Sequence, residues 1–393
     1  MKDHILIQAG YFDPAACDID AFIALIEQQT SQGDVPMAAD IQANIPIYDI
    51  PSLAGSLGDA HSRRLLMTEW ASVLMSGAGV LVLRNAYSDT TAIDTASDVF
   101  TRIIADEKAG SSGGGDHFAA AGANDRIWNS LQKLCRAAPD VHLAYFANPA
   151  IAAICEAWLG PNYQMSAQVN LVHPGGPAQQ AHRDYHLGFQ TAEISASYPA
   201  QVHLLSPALT LQGAIAHCDM PVQSGPTKLL PFSQAFTSGY AGWRREDFRA
   251  VFEDRHVQLP LRKGDAVFFN PALFHAAGAN TTSDIHRMAN LLQVSSAFGR
   301  AMETIDRNAM CKWVYPHAQT AVAERSLSKA ELHAAIAATA EGYSFPTNLD
   351  RDPPKGGLAP ETQQAFLLRA LSEDMGADTF EARLDEMAAR QTA

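Results

Sequence analysis

Apolar positions in the first 160 residues recur at the spacing of amphipathic helices. Residues 18–27 open with an aspartate and continue with apolar residues on one helical face. Residues 59–75 repeat the pattern with Leu65, Leu66, Trp70, Val73 and Leu74 in one stripe, and residues 92–108 resemble them. Residues 45–51 read as extended chain between two of these segments. The pattern predicts a largely helical N-terminal part covering residues 1–160.

Between residues 161 and 300 the pattern changes to short apolar runs separated by Gly and Pro turns. Residues 202–205 and 209–216 have the length and composition of β-strands, and such spacing is typical of a sandwich or barrel. Beyond residue 300 the chain reads as helical again, with Ala-, Leu- and Glu-rich segments at 328–340 and 360–371. We therefore expect one domain, 1–393, with a β core at 161–300 and a helical C-terminal extension at 301–393. That extension either covers the core or forms a homo-oligomer contact.

Composition narrows the class of protein. The 393 residues are 47% hydrophobic and 18% charged, which is typical of a globular chain with a sizeable core. A net charge of −14 argues against nucleic acid or an anionic membrane as the main partner, because both select basic surfaces. Five cysteines without CxxC spacing indicate neither a disulfide framework nor a zinc site, and neither a signal peptide nor a transmembrane run is evident. We expect a cytoplasmic protein that acts on a small molecule.

A glycine-rich segment at 108–124 interrupts the helical pattern. It is not a phosphate-binding loop, because the Gly-Lys-Ser/Thr ending is absent. Two interpretations remain open for it: a surface linker, or a lid over an active site.

The candidate chemistry lies in His182, Asp184 and His275. Residues two apart on a strand point the same way, so His182 and Asp184 can bind one ion while Arg183 points away. Two imidazoles and one carboxylate on one face of a metal leave the opposite face open, as in non-haem iron oxygenases. A single histidine in a chain that has fourteen is more often a packing or surface residue. The same ligands could also hold Zn or Mn in a cupin-like hydrolase or isomerase.

Arg287 opens an apolar segment, 287–295, that reads as a core strand. A guanidinium in such a strand is costly to bury unless it is paired. Its partner is either a structural Asp or Glu, or the carboxylate of a ligand, which a planar guanidinium binds through two hydrogen bonds.

Four segments together carry a family resemblance. They are Gln168-Val169-Asn170 leading into a Pro-Gly-Gly turn, the His182/Asp184 pair, the Ser-Gly-Pro segment at 224–233, and residues 264–275 followed by Arg287. In this order they resemble the phytanoyl-CoA dioxygenase family of Fe(II)/2-oxoglutarate oxygenases. Phe232 stands where the family usually has Gly, and Gln234 where it often has His.

The resemblance implies a double-stranded β-helix, a jelly-roll or cupin-like core, with flanking N- and C-terminal helices. It implies that His182, Asp184 and His275 bind Fe(II) and that Arg287 binds the far carboxylate of 2-oxoglutarate, with Asn170 and Gln168 as further contacts. Tyr185 and His186 are expected to line the substrate pocket. The expected reaction uses O2 to hydroxylate a small organic metabolite and releases succinate and CO2. Related halogenases replace the carboxylate ligand by a small residue, so the presence of Asp184 favours hydroxylation.

Overall fold

The computed structural model describes residues 10–110, 122–184 and 187–392. Tyr185, His186 and residues 111–121 lie outside these ranges. The expectations for the two substrate-lining residues and for the glycine-rich segment therefore stay predictions.

The centre of the molecule is an eight-stranded sheet with the order β1-β2-β3-β8-β6-β10-β5-β4. Its strands are antiparallel to their neighbours except for β2 and β3, which run parallel. The strands are β1 (Asp40–Gln42), β2 (Ile45–Asp49), β3 (Val80–Arg84), β4 (Asn124–Ile127), β5 (Gln164–Val172), β6 (Thr210–Ala216), β8 (Ala266–Phe269) and β10 (Arg287–Ser295).

A smaller sheet pairs β7 (Lys228–Leu229) with β9 (His275–Ala276). Isolated bridges extend it on both sides, from His182 to His275 and from Leu229 to Val257. Residues of both sheets line one cavity, which therefore lies between them. The prediction of a mainly β, jelly-roll core with flanking helices is confirmed.

Alternation along the strands separates two hydrophobic cores. On β8, Ala266 and Phe268 face a large core formed with the helices, whereas Val267 and Phe269 face the inside of the jelly roll. This follows from the period of two along a strand. One face of the large sheet is thus covered by helices, and the other is left to shape the cavity.

The helices precede, interrupt and follow the sheet. They are α1 (Ile19–Ile26), α2 (Ala54–Gly58), α3 (Ala60–Met75), α4 (Thr91–Ala109), α5 (Ser130–Ala137), α6 (Pro139–Phe146), α7 (Pro149–Leu159), α8 (Ala192–Ala196), α9 (Ala200–Leu205), α10 (Gly239–Gly242), α11 (Glu246–Arg255), α12 (Arg307–Glu324), α13 (Lys329–Thr339), α14 (Gln363–Ser372) and α15 (Ala377–Gln391). Short 3-10 turns lie at Pro14–Ala16, Ile50–Leu53, Ser206–Leu209, Val222–Ser224, Ser233–Ala235 and Lys355–Gly357.

Three helices begin at the caps that the sequence predicts. Asp18 and Asp59 cap α1 and α3 through their side chains, and Ser328 with Glu331 forms a capping box on α13. These local hydrogen bonds satisfy backbone N–H groups that the first helical turn leaves without a partner.

One sequence expectation meets a different structure. Residues 202–205 form part of α9, so the prediction of a strand there is wrong. Ala200, His203 and Ser206 are buried at a spacing of three while Leu204 and Leu205 are exposed, which is the burial of a helix on a surface. In addition, β1 to β4 all lie before residue 161, so the sheet draws half of its strands from the part expected to be largely helical.

The C-terminal helices pack onto the rest of the chain. Phe380 of α15 stacks on Tyr315 of α12 with ring centres 3.8 Å apart and lies 5.2 Å from Phe366 of α14. Leu384 and Met387 of α15 are buried in the same core. The apolar side of α15 is thus covered within the chain, and an oligomer contact through these helices stays a prediction. In the described ranges no helix is both long and apolar enough to cross a bilayer.

Candidate active site

The structure brings His182, Asp184 and His275 together. Nε2 of His182 lies 3.5 Å from Oδ1 of Asp184, and Nε2 of His275 lies 3.4 Å from Oδ2 of the same carboxylate. One potential ligand atom of each residue lies within 4.8 Å of the others. Backbone pairing causes this convergence: His182 and His275 exchange N–H to C=O hydrogen bonds of 3.0 and 3.1 Å across the small sheet.

Both imidazoles are oriented to offer Nε2. Nδ1 of His182 is 2.8 Å from the carbonyl of Gln180, and Nδ1 of His275 is 2.8 Å from the carbonyl of Leu273. A carbonyl only accepts, so each Nδ1 carries the proton and each Nε2 keeps its lone pair. Two such nitrogens beside a carboxylate form a donor set suited to Fe(II), as well as to Zn or Mn. The residues present therefore fit a divalent metal ion.

The three residues shift one another's pKa values. Burial raises the pKa of Asp184, but His182 and His275 outweigh it and hold that pKa well below its usual range. Burial lowers the pKa of His182, but the Asp184 carboxylate outweighs it and the pKa is raised. Burial, together with the neighbouring His182, lowers the pKa of His275. Asp184 is therefore an anion at neutral pH and available as a ligand.

Arg183 lies between two of these residues but faces the opposite way, as expected. Its Nη2 donates to the carbonyls of Ser233 at 2.5 Å and Phe236 at 3.0 Å, and its guanidinium lies over the rings of Tyr240 and Phe274. The side chain is 1% exposed. It ties the segment that carries His182 and Asp184 to the loop at 233–236, which limits the movement of both side chains.

A cavity of about 500 Å³ opens from this site, a size usual for small-molecule pockets. Arg287 lines it and is 6% exposed. Its Nη1 donates to the carbonyls of Ser224 at 2.8 Å and Gly278 at 3.3 Å. Burial lowers the pKa of Arg287 to about 10, and no Asp or Glu among the described residues is within ion-pair distance. A structural carboxylate partner, the alternative considered from the sequence, is therefore not found in this part of the chain.

The two amides expected near Arg287 occupy different positions. Asn170 pairs in register with Ala289, two residues from Arg287, and its buried Oδ1 has no hydrogen-bond partner in the described ranges. Gln168 pairs with Leu291, four residues from Arg287, and accepts a 3.2 Å hydrogen bond from Nη1 of Arg126. Gln168 thus lies about 13 Å along the strand from the register position of Arg287.

Several cavity residues were not anticipated from the sequence. They are Gln212, Gln293 and Arg126 on the large sheet, together with Trp128, Phe189, Trp243 and Met302 from other segments. Gln212 and Gln293 each interrupt an apolar strand, and a polar residue in a buried strand is a usable signal. For the other residues, the position relative to the cavity depends on the fold and could not be predicted from the local sequence.

Comparison with known proteins identifies the family. A family model described as phytanoyl-CoA dioxygenase matches residues 75–289, more than half of the chain. The chain belongs to the phytanoyl-CoA dioxygenase family. The resemblance inferred from the four segments is thereby confirmed. Enzymes of this family use Fe(II), 2-oxoglutarate and O2, and the cavity holds a donor set for a metal ion and an arginine for a carboxylate.

Two curated proteins that are named dioxygenases match part of the chain. Dioxygenase andF of Emericella variicolor is 27% identical over 147 residues, which is 36% of this chain and 45% of the relative. Dioxygenase trt7 of Aspergillus terreus (strain NIH 2624 / FGSC A1156) is 27% identical over 128 residues, 33% of this chain and 39% of the relative. The chain matches less than half the length of either dioxygenase.

Solved structures also resemble the chain. One is the non-heme alpha-ketoglutarate-dependent epimerase SnoN from nogalamycin biosynthesis, with 19% identity and a TM-score of 0.41 over 59% of this chain and 83% of that one. Another is the carbocyclase SnoK from the same biosynthesis, with 20% identity and a TM-score of 0.41 over 58% and 83%.

Proposed function

We propose that this member of the phytanoyl-CoA dioxygenase family is an Fe(II)- and 2-oxoglutarate-dependent dioxygenase that hydroxylates a small organic molecule and releases succinate and CO2. One observation carries the proposal. The same cavity holds a His/Asp/His donor set and a buried arginine without a carboxylate partner in the described chain. A dicarboxylate that chelates a metal ion at the donor set with one end and pairs with the arginine at the other end would use both features.

Each residue has a defined part in this proposal. His182, Asp184 and His275 hold Fe(II), which when bound couples O2 activation to the oxidative decarboxylation of 2-oxoglutarate. Arg287 binds the far carboxylate of the cosubstrate. Its contacts to Ser224 and Gly278 both use Nη1, which leaves Nη2 and Nε for a two-pronged pair with a carboxylate. Asn170 lines the same cavity, and its side-chain Nδ2 would donate the further hydrogen bond, because 2-oxoglutarate offers only acceptor oxygens.

Part of the cavity lining is apolar. Ala214, Ala216, Val267 and Leu291 contribute side chains that offer no hydrogen-bond partner to solvent. A dry site strengthens the charge pair at Arg287 and protects a reactive centre from side reactions.

The other part of the cavity is proposed to hold the substrate. Trp128, Phe189, Trp243 and Met302 give it an aromatic and apolar surface that suits a largely apolar molecule. Among the described lining residues the lysines and arginines are limited to Arg126 and Arg287. Such a lining offers no cluster of cations for the phosphates of an acyl-CoA, so we propose a free metabolite as substrate.

The test is a turnover assay with anaerobically reconstituted Fe(II) protein. We expect 2-oxoglutarate to give succinate upon addition of O2, with a faster rate for one or more compounds in a screen of free metabolites and acyl-CoA esters. Mass spectrometry with 18O2 should show a product that gains one oxygen atom. A product that loses two hydrogens would contradict hydroxylation but keep the oxygenase class. Turnover that needs Zn or Mn but neither 2-oxoglutarate nor O2 would favour a non-oxidative metal enzyme.

A further inference from the structure

Gln212 makes a contact that the family's ligand pattern does not include. It lies on β6, is 4% exposed, and its Nε2 donates to Oδ2 of Asp184 at 2.5 Å. Its own Oε1 is buried and has no hydrogen-bond partner in the described ranges. The amide N–H of Gln212 is therefore bonded to the carboxylate, whereas its carbonyl oxygen has no partner in the described ranges.

A role in packing alone does not account for this side chain. A buried polar atom without a partner is destabilising, and an apolar side chain of similar size would avoid that cost. The opposite orientation of the amide would place Oε1 against an anionic carboxylate, so the hydrogen bond to Asp184 fixes which atom is the donor. Neighbouring Gln293 offers a comparison. It lies directly opposite Gln212 in the register of β6 and β10, is 8% exposed, and likewise has a buried Oε1 without a partner in the described ranges. The two glutamines differ in that the hydrogen bond to Asp184 belongs to Gln212.

We propose that Gln212 is a positioning residue that holds Oδ2 of Asp184, so that the metal receives Oδ1 alone. With one carboxylate oxygen and two imidazoles bound, a six-coordinate ion keeps three positions open. This inference rests on the function proposed above, under which a chelating 2-oxoglutarate and O2 would together need these three positions. Binding of both carboxylate oxygens would fill one of them.

The test compares Gln212→Leu with Gln293→Leu, a matched change on the same face of the sheet. The dissociation constant for Fe(II) is measured anaerobically by competition with a chelator, without cosubstrate. We expect Gln212→Leu to weaken Fe(II) binding by roughly 10- to 100-fold, the usual effect of losing a partner of a metal ligand. Gln293→Leu should stay within about threefold of wild type. Equal affinities in the two variants would overturn the proposal.

Crystal structures of the anaerobic Fe(II) proteins provide a readout that a packing role would not change. Wild type should show Oδ1 of Asp184 on the metal and Oδ2 on Gln212, whereas Gln212→Leu should show both oxygens on the metal. Oδ2 bound to iron in the wild type would overturn the proposal. If Gln212→Leu does not fold, Gln212→Asn keeps the amide but is one methylene too short, and it should weaken Fe(II) binding in the same way.

These results are separable from a failure of the proposed function. If wild type binds Fe(II) and responds to Gln212→Leu but never binds 2-oxoglutarate, the oxygenase function fails and the role of Gln212 stands. If wild type consumes 2-oxoglutarate and Gln212→Leu binds iron like Gln293→Leu, only the role of Gln212 fails.

Discussion

Removal of the Arg287 guanidinium should abolish tight binding of 2-oxoglutarate while leaving the metal site in place. Burial lowers the pKa of Arg287 to about 10 from 12.5, and each pKa unit is about 1.4 kcal/mol, so keeping this charge buried costs about 3 kcal/mol. Hydrogen bonds to the carbonyls of Ser224 and Gly278 offset part of that cost. A ligand carboxylate supplies the opposite charge that the described surroundings lack.

The expected loss follows from this arrangement. Truncating one partner of a desolvated charge pair typically costs about 2 to 5 kcal/mol of binding, so Arg287→Ala should weaken 2-oxoglutarate binding by at least about thirtyfold. Arg287→Lys should recover only part of it, because an ammonium keeps the charge but cannot form the two-pronged pair. The stoichiometry of Fe(II) should remain that of wild type in both variants, because Arg287 is not a ligand.

The assay is an anaerobic titration of 2-oxoglutarate into the Fe(II) protein, followed through the metal-to-ligand charge-transfer band. Arg287→Ala should need a far higher concentration to develop the band, and the Fe(II) content measured on the same samples serves as the control. Wild-type affinity in Arg287→Ala would refute the assignment of the far carboxylate. The absence of a band in the wild type would refute the oxygenase function itself.

Three further predictions concern the metal ligands, the largely buried carboxyl of Glu303 and the C-terminal helices. Asp184→Ala removes the anionic ligand and should sharply reduce the Fe(II) bound after anaerobic reconstitution; full occupancy would contradict the three-ligand assignment. Burial raises the pKa of Glu303 to about 7 from 4.5, so stability that is present below about pH 4.5 is lost as the pH rises through 7. Glu303→Gln removes this titration. The free energy of unfolding of the variant relative to wild type should therefore be higher at pH 8 than at pH 4.5 by about 1 to 2 kcal/mol, allowing for the partial exposure of Glu303. A difference between variant and wild type that does not change with pH in urea titrations would argue against this. Phe380→Ala should lower the unfolding free energy by about 3 to 5 kcal/mol because it empties a fully buried aromatic stack, and Fe(II) affinity that fell with it would show that the C-terminal helices support the site.

Much of the site was accessible from the sequence because its signals are local. His182 and Asp184 stand two apart on extended chain, so their side chains point the same way. The apolar run that ends in His275 predicts a buried strand with this residue at the start of the following turn. Helix starts such as Asp59 and Ser328 were equally accessible, since a cap is formed by residues a few positions apart. Structural features that depend on residues close together in the chain could be predicted from the sequence pattern.

The remainder depends on which distant strands become neighbours. Gln212 reaches Asp184 only because β6 lies beside β10 under the small sheet, and Gln168 contacts Arg126 only because β4 joins the edge of β5. Neither pairing follows from apolar spacing. The helix α9 was missed for a related reason. A run of four residues, Val202 to Leu205, is too short to show a period, and only its position on the surface determines which side chain is buried.

Arg183 and Arg287 show why a buried charge does not identify a ligand site by itself. Both are almost fully buried, both donate to backbone carbonyls, and burial lowers the pKa of each to about 10. Around Arg183 the space is filled: two aromatic rings cover the guanidinium, and a Cβ at Gly239 would lie 2.0 Å from its Cζ. Arg287 instead lines the cavity that contains the donor set. The cosubstrate assignment therefore depends on the open space in front of Arg287, which a sequence cannot display, and not on the charge that the two arginines share.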